Sequence, residues 1–175
     1  MVKIMDGKSL AEEIKRDIAA RTIAMKEEMG TAPTLATILV GDDPASSTYV
    51  GGKCRDCEEV GIDFRLHELP SSIAERELLE LIEELNGAPK VHGILVQYPL
   101  PRHIDRKKIM TSIKPQKDVD GLHPYNVGKL WLGTYDLDGT LLPCTPKGIL
   151  KLLDRYEIEL EGKLAVIINR SDLIG

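Results

Sequence analysis

The chain of 175 residues is 42% hydrophobic, 29% charged and only 4% aromatic, which suits a globular core of one domain, two at most, and excludes the disordered and fibrous classes. Asp and Glu number 28 against 23 Lys and Arg, a formal charge of -5 with no basic run to follow a phosphate backbone, so nucleic acid is not an expected partner. No apolar stretch reaches the roughly 20 residues of a membrane helix, the first residues lack a signal-peptide layout, and Cys54, Cys57 and Cys144 are an odd count that fits free thiols in a reducing compartment. The expectation is a cytoplasmic protein with no membrane partner.

Along the chain, Ser9 and Glu12 form a capping-box pattern, and Leu10, Ile14, Ile18, Met25 and Met29 keep helical spacing up to Gly30, a residue suited to a left-handed C-cap. Thr34 to Val40 is an almost continuous apolar run closed by Gly41-Asp42-Asp43-Pro44, the pattern of a strand buried on both faces. Ser46 or Ser47 is the expected cap of a helix running to about Val60 and stopped by Gly61. Asp63 to Leu69 reads as a second strand, Ser72 and Glu75 as the capping box of a helix through Leu85, and Val91 to Val96 as a third strand. A short helix follows near Arg106 to Ile113, then an ordered turn at Lys117-Asp118-Val119-Asp120-Gly121. Thr145 as N-cap with Pro146 at the first helical position opens a further helix, and Leu164 to Ile168 reads as one more buried strand. Alternating strands and helices give an α/β class with a mostly parallel sheet, whose ligands gather at the carboxyl ends of the strands. A parallel strand at 164–168 calls for a crossover and a partner, a unit of about 30 residues or more, so the chain is expected either to be a piece of a longer protein or to have the remainder contributed from outside it.

Four places hold candidate chemistry. Tyr49 and Lys53 stand i, i+4 on one helix face, either as a working pair or as an exposed one. Gly51-Gly52 lies between them at about 1 kcal/mol per Gly in a helix interior. Gln97 closes the third strand, as a ligand-facing amide or as a group satisfying loop backbone. Asp118 and Asp120 are either turn formers or, in an extended segment, carboxylates directed the same way. Cys54-Arg55-Asp56-Cys57 is a C-x-x-C, yet it lies inside the predicted helix rather than at an N-terminus, and His67, His92, His103 and His123 provide no closely spaced pair, so neither thiol redox nor a metal site is expected. No dinucleotide-binding glycine fingerprint, P-loop or nucleophile elbow occurs.

Tyr49-Val50-x-x-Lys53, Gly93-Ile94-Leu95-Val96-Gln97-x-Pro99-Leu100-Pro101, Pro115-x-Lys117-Asp118-Val119-Asp120-Gly121 and Pro143-Cys144-Thr145-Pro146-Lys147-Gly148 resemble, in order and spacing, the bifunctional methylenetetrahydrofolate dehydrogenase/cyclohydrolase family. The resemblance extends through Gly162-Lys163-x-Ala165-Val166 and the tail. It implies a folate-binding catalytic domain over residues 1–144 and, over 145–175, the beginning of a Rossmann-like domain that binds NADP, with NAD the alternative. The implied setting is a homodimer in one-carbon metabolism serving purine biosynthesis. Carried over residue by residue, Lys53 resembles the lysine that handles the proton and activates water, Tyr49 the ring stacked along the folate, Gln97 the amide bonded to that lysine, and Asp120 the aspartate that holds the pterin. Val50, Pro99 and Leu100 join Tyr49, Lys53, Gln97 and Asp120 as substrate-binding residues; Asn169, Arg170, Ser171 and Thr145 are the cofactor-binding set. A lysine acting as a base must have its pKa brought down from about 10.4. Asn169 replaces the glycine of the family's Gly-Arg-Ser turn, and Tyr98 stands where the family is usually aliphatic. The expected activity is oxidation of 5,10-methylenetetrahydrofolate and hydrolysis of the methenyl product to 10-formyltetrahydrofolate, the hydrolytic half being the one these residues carry. A non-enzymatic folate-binding or dimerisation module is the alternative.

Overall fold

The structure is a computed structural model that describes residues 4–135 and 139–169. Helix α1 spans Gly7–Met29, and Asp6 rather than Ser9 caps it: its Oδ1 accepts from the Lys8 and Ser9 backbone N–H groups at 3.0 and 3.1 Å. The expected C-cap is present, Gly30 at φ 71° closing back on the Lys26 carbonyl. Strand β1 (Thr34–Val40) has six of its seven residues buried, as its unbroken apolar run requires. Helix α2 (Pro44–Val60) likewise starts earlier than expected. Asp43 Oδ2 accepts from the Ser46 N–H at 2.8 Å and Pro44 fills a position where a missing N–H is harmless, leaving Ser46 to be buried.

Strand β2 (Asp63–Leu69) and strand β3 (Gly93–Val96) pair with β1 on either side, both parallel, in the order β2-β1-β3. Between them lies helix α3 (Glu75–Gly87), which begins with the Ala74 N–H donating to Glu77 Oε2 at 3.0 Å. The expected Ser72/Glu75 box does not form because Glu75 turns the other way, taking the Asp105 N–H and Lys108 Nζ at the start of helix α4 (Arg106–Ser112). Ile82 and Leu78 of α3, Ile109 of α4 and Ile38 and Ile94 of the sheet make the core. Helix α5 (Pro124–Trp131) was not expected from the sequence; helix α6 (Cys144–Arg155) was, but it starts at Cys144 with Pro143 as N-cap. Pro146 therefore occupies the third helical position, still inside the first turn where no N–H is required. Arg155 of α6 pairs with Glu13 of α1 at 3.2 Å.

The strand expected at 164–168 is not formed. Residues 163–169 have no regular structure, and Leu164 and Ile168 are 91% and 94% exposed, because nothing among the described residues stands beside them to complete a ladder.

Candidate active site

A cleft of about 370 Å³ opens where β3 ends, between the second turn of α2, the loop after Asp118 and the start of α6. Lys53 reaches it from α2, half-buried, and its Nζ donates to Gln97 Oε1 at 2.9 Å. Gln97 is held at both ends. Its backbone N–H extends the sheet by donating to the Ile38 carbonyl at 2.9 Å, and its side-chain Nε2 donates to the Tyr98 carbonyl at 2.8 Å. With the amide nitrogen committed there, its oxygen is the atom turned to the lysine. Tyr49 stands one turn before Lys53 on the rim and is 68% exposed.

The Asp118–Gly121 loop divides its two carboxylates by burial. The Lys117 carbonyl accepts from the Ile94 N–H at 2.7 Å and Asp118 bridges to Ile94, which docks the loop on the edge of β3. Gly93 has no Cβ because one would lie 2.4 Å from Val119 Cγ1, so Val119 packs directly on the strand. Asp118 is buried, and its Oδ2 accepts from the His123 N–H at 2.7 Å and Asn126 Nδ2 at 3.0 Å. This is the turn-forming use of Asp. Asp120 instead lines the cleft, half-buried, and burial holds its carboxyl above the ordinary range, with the Lys53 charge pulling down and Asp118 pushing up.

Gly121, at φ 68°, lets the chain return: a Cβ there would meet the Leu142 carbonyl carbon at 2.3 Å. That close approach delivers Pro143, Cys144 and Thr145 to the wall opposite Lys53. Cys144 Sγ donates to the Val119 carbonyl at 3.3 Å, and burial pushes its thiol up.

Tyr49, Lys53, Gln97, Asp120 and Thr145 thus meet around one cleft. Thr145, expected at a cofactor site, lines the same cleft as the folate candidates. Val50, Pro99 and Leu100 do not line the cleft. Val50, one residue on from Tyr49 and so about 100° around the helix, is 2% exposed and faces inward; Leu100 packs against the core and Pro99 points to solvent. Asn169 is exposed, and Arg170 and Ser171 lie outside the described residues. The described residues form no dinucleotide cradle, since 163–169 is exposed and has no regular structure. Val96, Tyr98, Leu122, Pro143 and Cys144 also line the cleft and were not singled out as site residues. Their signal was adjacency: each borders a motif already carrying a candidate.

Cys54 and Cys57 sit inside α2, and burial raises both thiols, Cys57 to about 11, the reverse of what a redox pair at a helix N-terminus requires. Among the described residues no group of three or more His, Cys, Asp or Glu is placed to hold a metal ion.

Residues 5–120 match the family model for the tetrahydrofolate dehydrogenase/cyclohydrolase catalytic domain, and residues 143–175 that for its NAD(P)-binding domain. The bifunctional protein FolD of Chloroherpeton thalassium is 48% identical over 98% of this chain and 58% of its own length, and that of Bacillus subtilis 48% identical over 98% and 59%. Among solved structures, the Campylobacter jejuni FolD methylenetetrahydrofolate dehydrogenase/cyclohydrolase superposes with a TM-score of 0.94 at 50% identity, covering 99% of this chain and 60% of that one. The Trypanosoma brucei enzyme, complexed with NADP cofactor and inhibitor, gives 0.92 at 32% identity, covering 99% and 58%. The chain spans about three-fifths of the length of the curated relatives it matches. With its catalytic-domain match running from the first helix to Asp120, about two-thirds of its length, this chain belongs to the tetrahydrofolate dehydrogenase/cyclohydrolase family.

Proposed function

We propose that this chain carries the folate-handling machinery of a bifunctional enzyme that oxidises 5,10-methylenetetrahydrofolate to the methenyl form and hydrolyses it to 10-formyltetrahydrofolate. Residues 1–144 are the folate domain and 145–175 belong to the nucleotide domain. The enzyme works in the cytoplasm as a homodimer, in one-carbon metabolism that serves purine biosynthesis. NADP, when bound, supplies the hydride acceptor. No hydride step is assigned to the described residues, which form no cradle for it.

The hydrolytic step follows from the groups around the cleft. The methenyl carbon is electrophilic because it shares a positive charge with the two nitrogens it joins. Water adds to it, forming the C–O bond; the bond from that carbon to N5 breaks, one water proton ends on N5 and the other leaves to solvent. Lys53 Nζ is the group placed to take and return the proton, and Gln97 Oε1, by accepting one of its hydrogens, aims the amine at the cleft rather than along the helix. Asp120 accepts hydrogen bonds from the pterin's N–H edge, and Tyr49 covers the ring from the rim.

The observation that carries this reading is the 2.9 Å bond between Lys53 and Gln97, two groups 44 residues apart, at the mouth of a cleft that Asp120 also lines. Loss of methenyl absorbance measures the hydrolysis directly. Lys53→Ala is expected to lower the rate about 100-fold or more. Equal rates for the two proteins would remove Lys53 from the mechanism, and folate binding in calorimetry without turnover in either would favour a binding module instead.

A further inference from the structure

We propose that Tyr98, braced by Arg106, determines specificity at the inner end of the cleft: it sets how deep the heterocycle enters and reads the carbonyl that stands beside the N–H groups on a 4-oxo pterin. The inference rests on the folate reading above and names a determinant within it.

Tyr98 borders two spaces, the cleft itself and a narrow recess behind it that Asp118, Asp120 and Met110 also line. A smaller side chain at this position would join the two. The residue is held at both its backbone and its ring. Its backbone carbonyl accepts from Gln97 Nε2 at 2.8 Å and from the Ser46 hydroxyl at 3.4 Å. The Arg106 guanidinium lies 4.9 Å from the ring centroid. Arg106 is in turn the first residue of α4, whose cap Asp105 accepts from the Lys107 N–H and donates its own N–H to Glu75. The tyrosine is therefore a wall fixed by α2, β3 and α4 together.

The chemistry of that wall differs from an aliphatic one. The phenol is protonated at neutral pH, and burial pushes its pKa up further against the pull of the Arg106 charge. The guanidinium over the ring has only donors and offers the phenol no acceptor, which leaves the O–H to donate elsewhere. Beside it, Asp120 is an acceptor. An acceptor and a donor side by side complement an edge with N–H next to C=O, which a 4-oxo pterin has. A 2,4-diamino pterin presents a second donor in place of the carbonyl and leaves the phenol proton unmet.

The test uses the intact protein and its Tyr98→Phe and Tyr98→Leu variants, with methenyltetrahydrofolate hydrolysis and calorimetry against 4-oxo and 2,4-diamino pteridines. Tyr98→Phe keeps the wall and removes the hydroxyl. It is expected to raise KM about tenfold while kcat moves less than twofold, and to shrink the preference for the 4-oxo ligand by about the same factor. Tyr98→Leu should show that loss and also bind pteridines enlarged at the carbonyl edge that the parent protein rejects. A Tyr98→Phe protein with parental KM and parental ligand preference overturns the proposal even if Tyr98→Leu fails to fold. If the parent protein itself neither binds nor turns over folates, the functional reading falls and this one with it; parental activity with unmoved variants sinks this inference alone.

Discussion

Gln97 shows how much of the site is decided by one amide. Its nitrogen is spent on the Tyr98 carbonyl, so its oxygen faces Lys53. The resemblance to the family assigned this pairing; spacing alone left Gln97 as a loop-satisfying group with equal standing. Asp120 carries the clearest electrostatic consequence. Its carboxyl titrates above the ordinary value of 3.8 because burial disfavours the charge. Between that ordinary value and the raised one, the folded chain binds more protons than the unfolded chain, so stability falls as pH rises through the window and the cost persists at neutral pH. Asp120→Asn is therefore expected to melt higher than the parent at pH 7, with the gap closing as pH drops below the ordinary carboxylate range. Thermal melts across pH check this. The same substitution should weaken folate binding, since the amide cannot offer two acceptors to an N–H edge. Higher melting with weaker binding is the signature of a residue kept for its ligand rather than for the fold.

At the scale of elements, the strands and the long helices were readable because their signals are local: a continuous apolar run for β1, helical spacing for α1, a left-handed glycine at the C-caps of α1 and α2. The helix starts were less readable. Asp6, Asp43 and Glu77 act at the first turns where Ser9, Ser46 or Ser47, and Ser72 were expected. Several short polar side chains near a helix start can all reach an open N–H, and the direction from which the chain arrives selects among them. Helix α5 is short and interrupted by Gly128, which hid it, although His123-Pro124 was a usable start signal. Its purpose is structural support for the loop that bears Asp120. Asn126, buried on α5, donates to the Pro115 carbonyl at 2.9 Å and to Asp118 at 3.0 Å. Asn126→Ala leaves Asp118 with one donor fewer in a buried setting and is expected to cost about 1–3 kcal/mol, read as a lower midpoint in urea.

For the whole molecule, the cleft exists because distant segments touch without room to spare. Gly121 and Leu142 meet so closely that any side chain at 121 is excluded, by contact and by its φ of 68°. Gly121→Ala must push the 142–145 segment outward. The expected outcome is a loss of several kcal/mol with a widened cleft, seen as a lower melting temperature and weaker folate binding together. A variant that lost stability but bound folate as tightly as the parent would show that the Pro143–Thr145 wall does not contribute to binding.

Read alone, the sequence settled the α/β class and the order of helices and strands through β3, because apolar periodicity and turn residues are properties of short windows, while the folate roles came from the resemblance of four short motifs to a family. Only the tertiary structure decided that Val50 turns inward while Tyr49 stays at the rim, that Asp118 is consumed by His123 and Asn126 while Asp120 faces the cleft, and that Thr145 lines the same cleft. It also decided that 164–168 stands without a ladder. Each of these depends on which surface another segment covers, and that is set by crossovers and loop closure rather than by the local pattern.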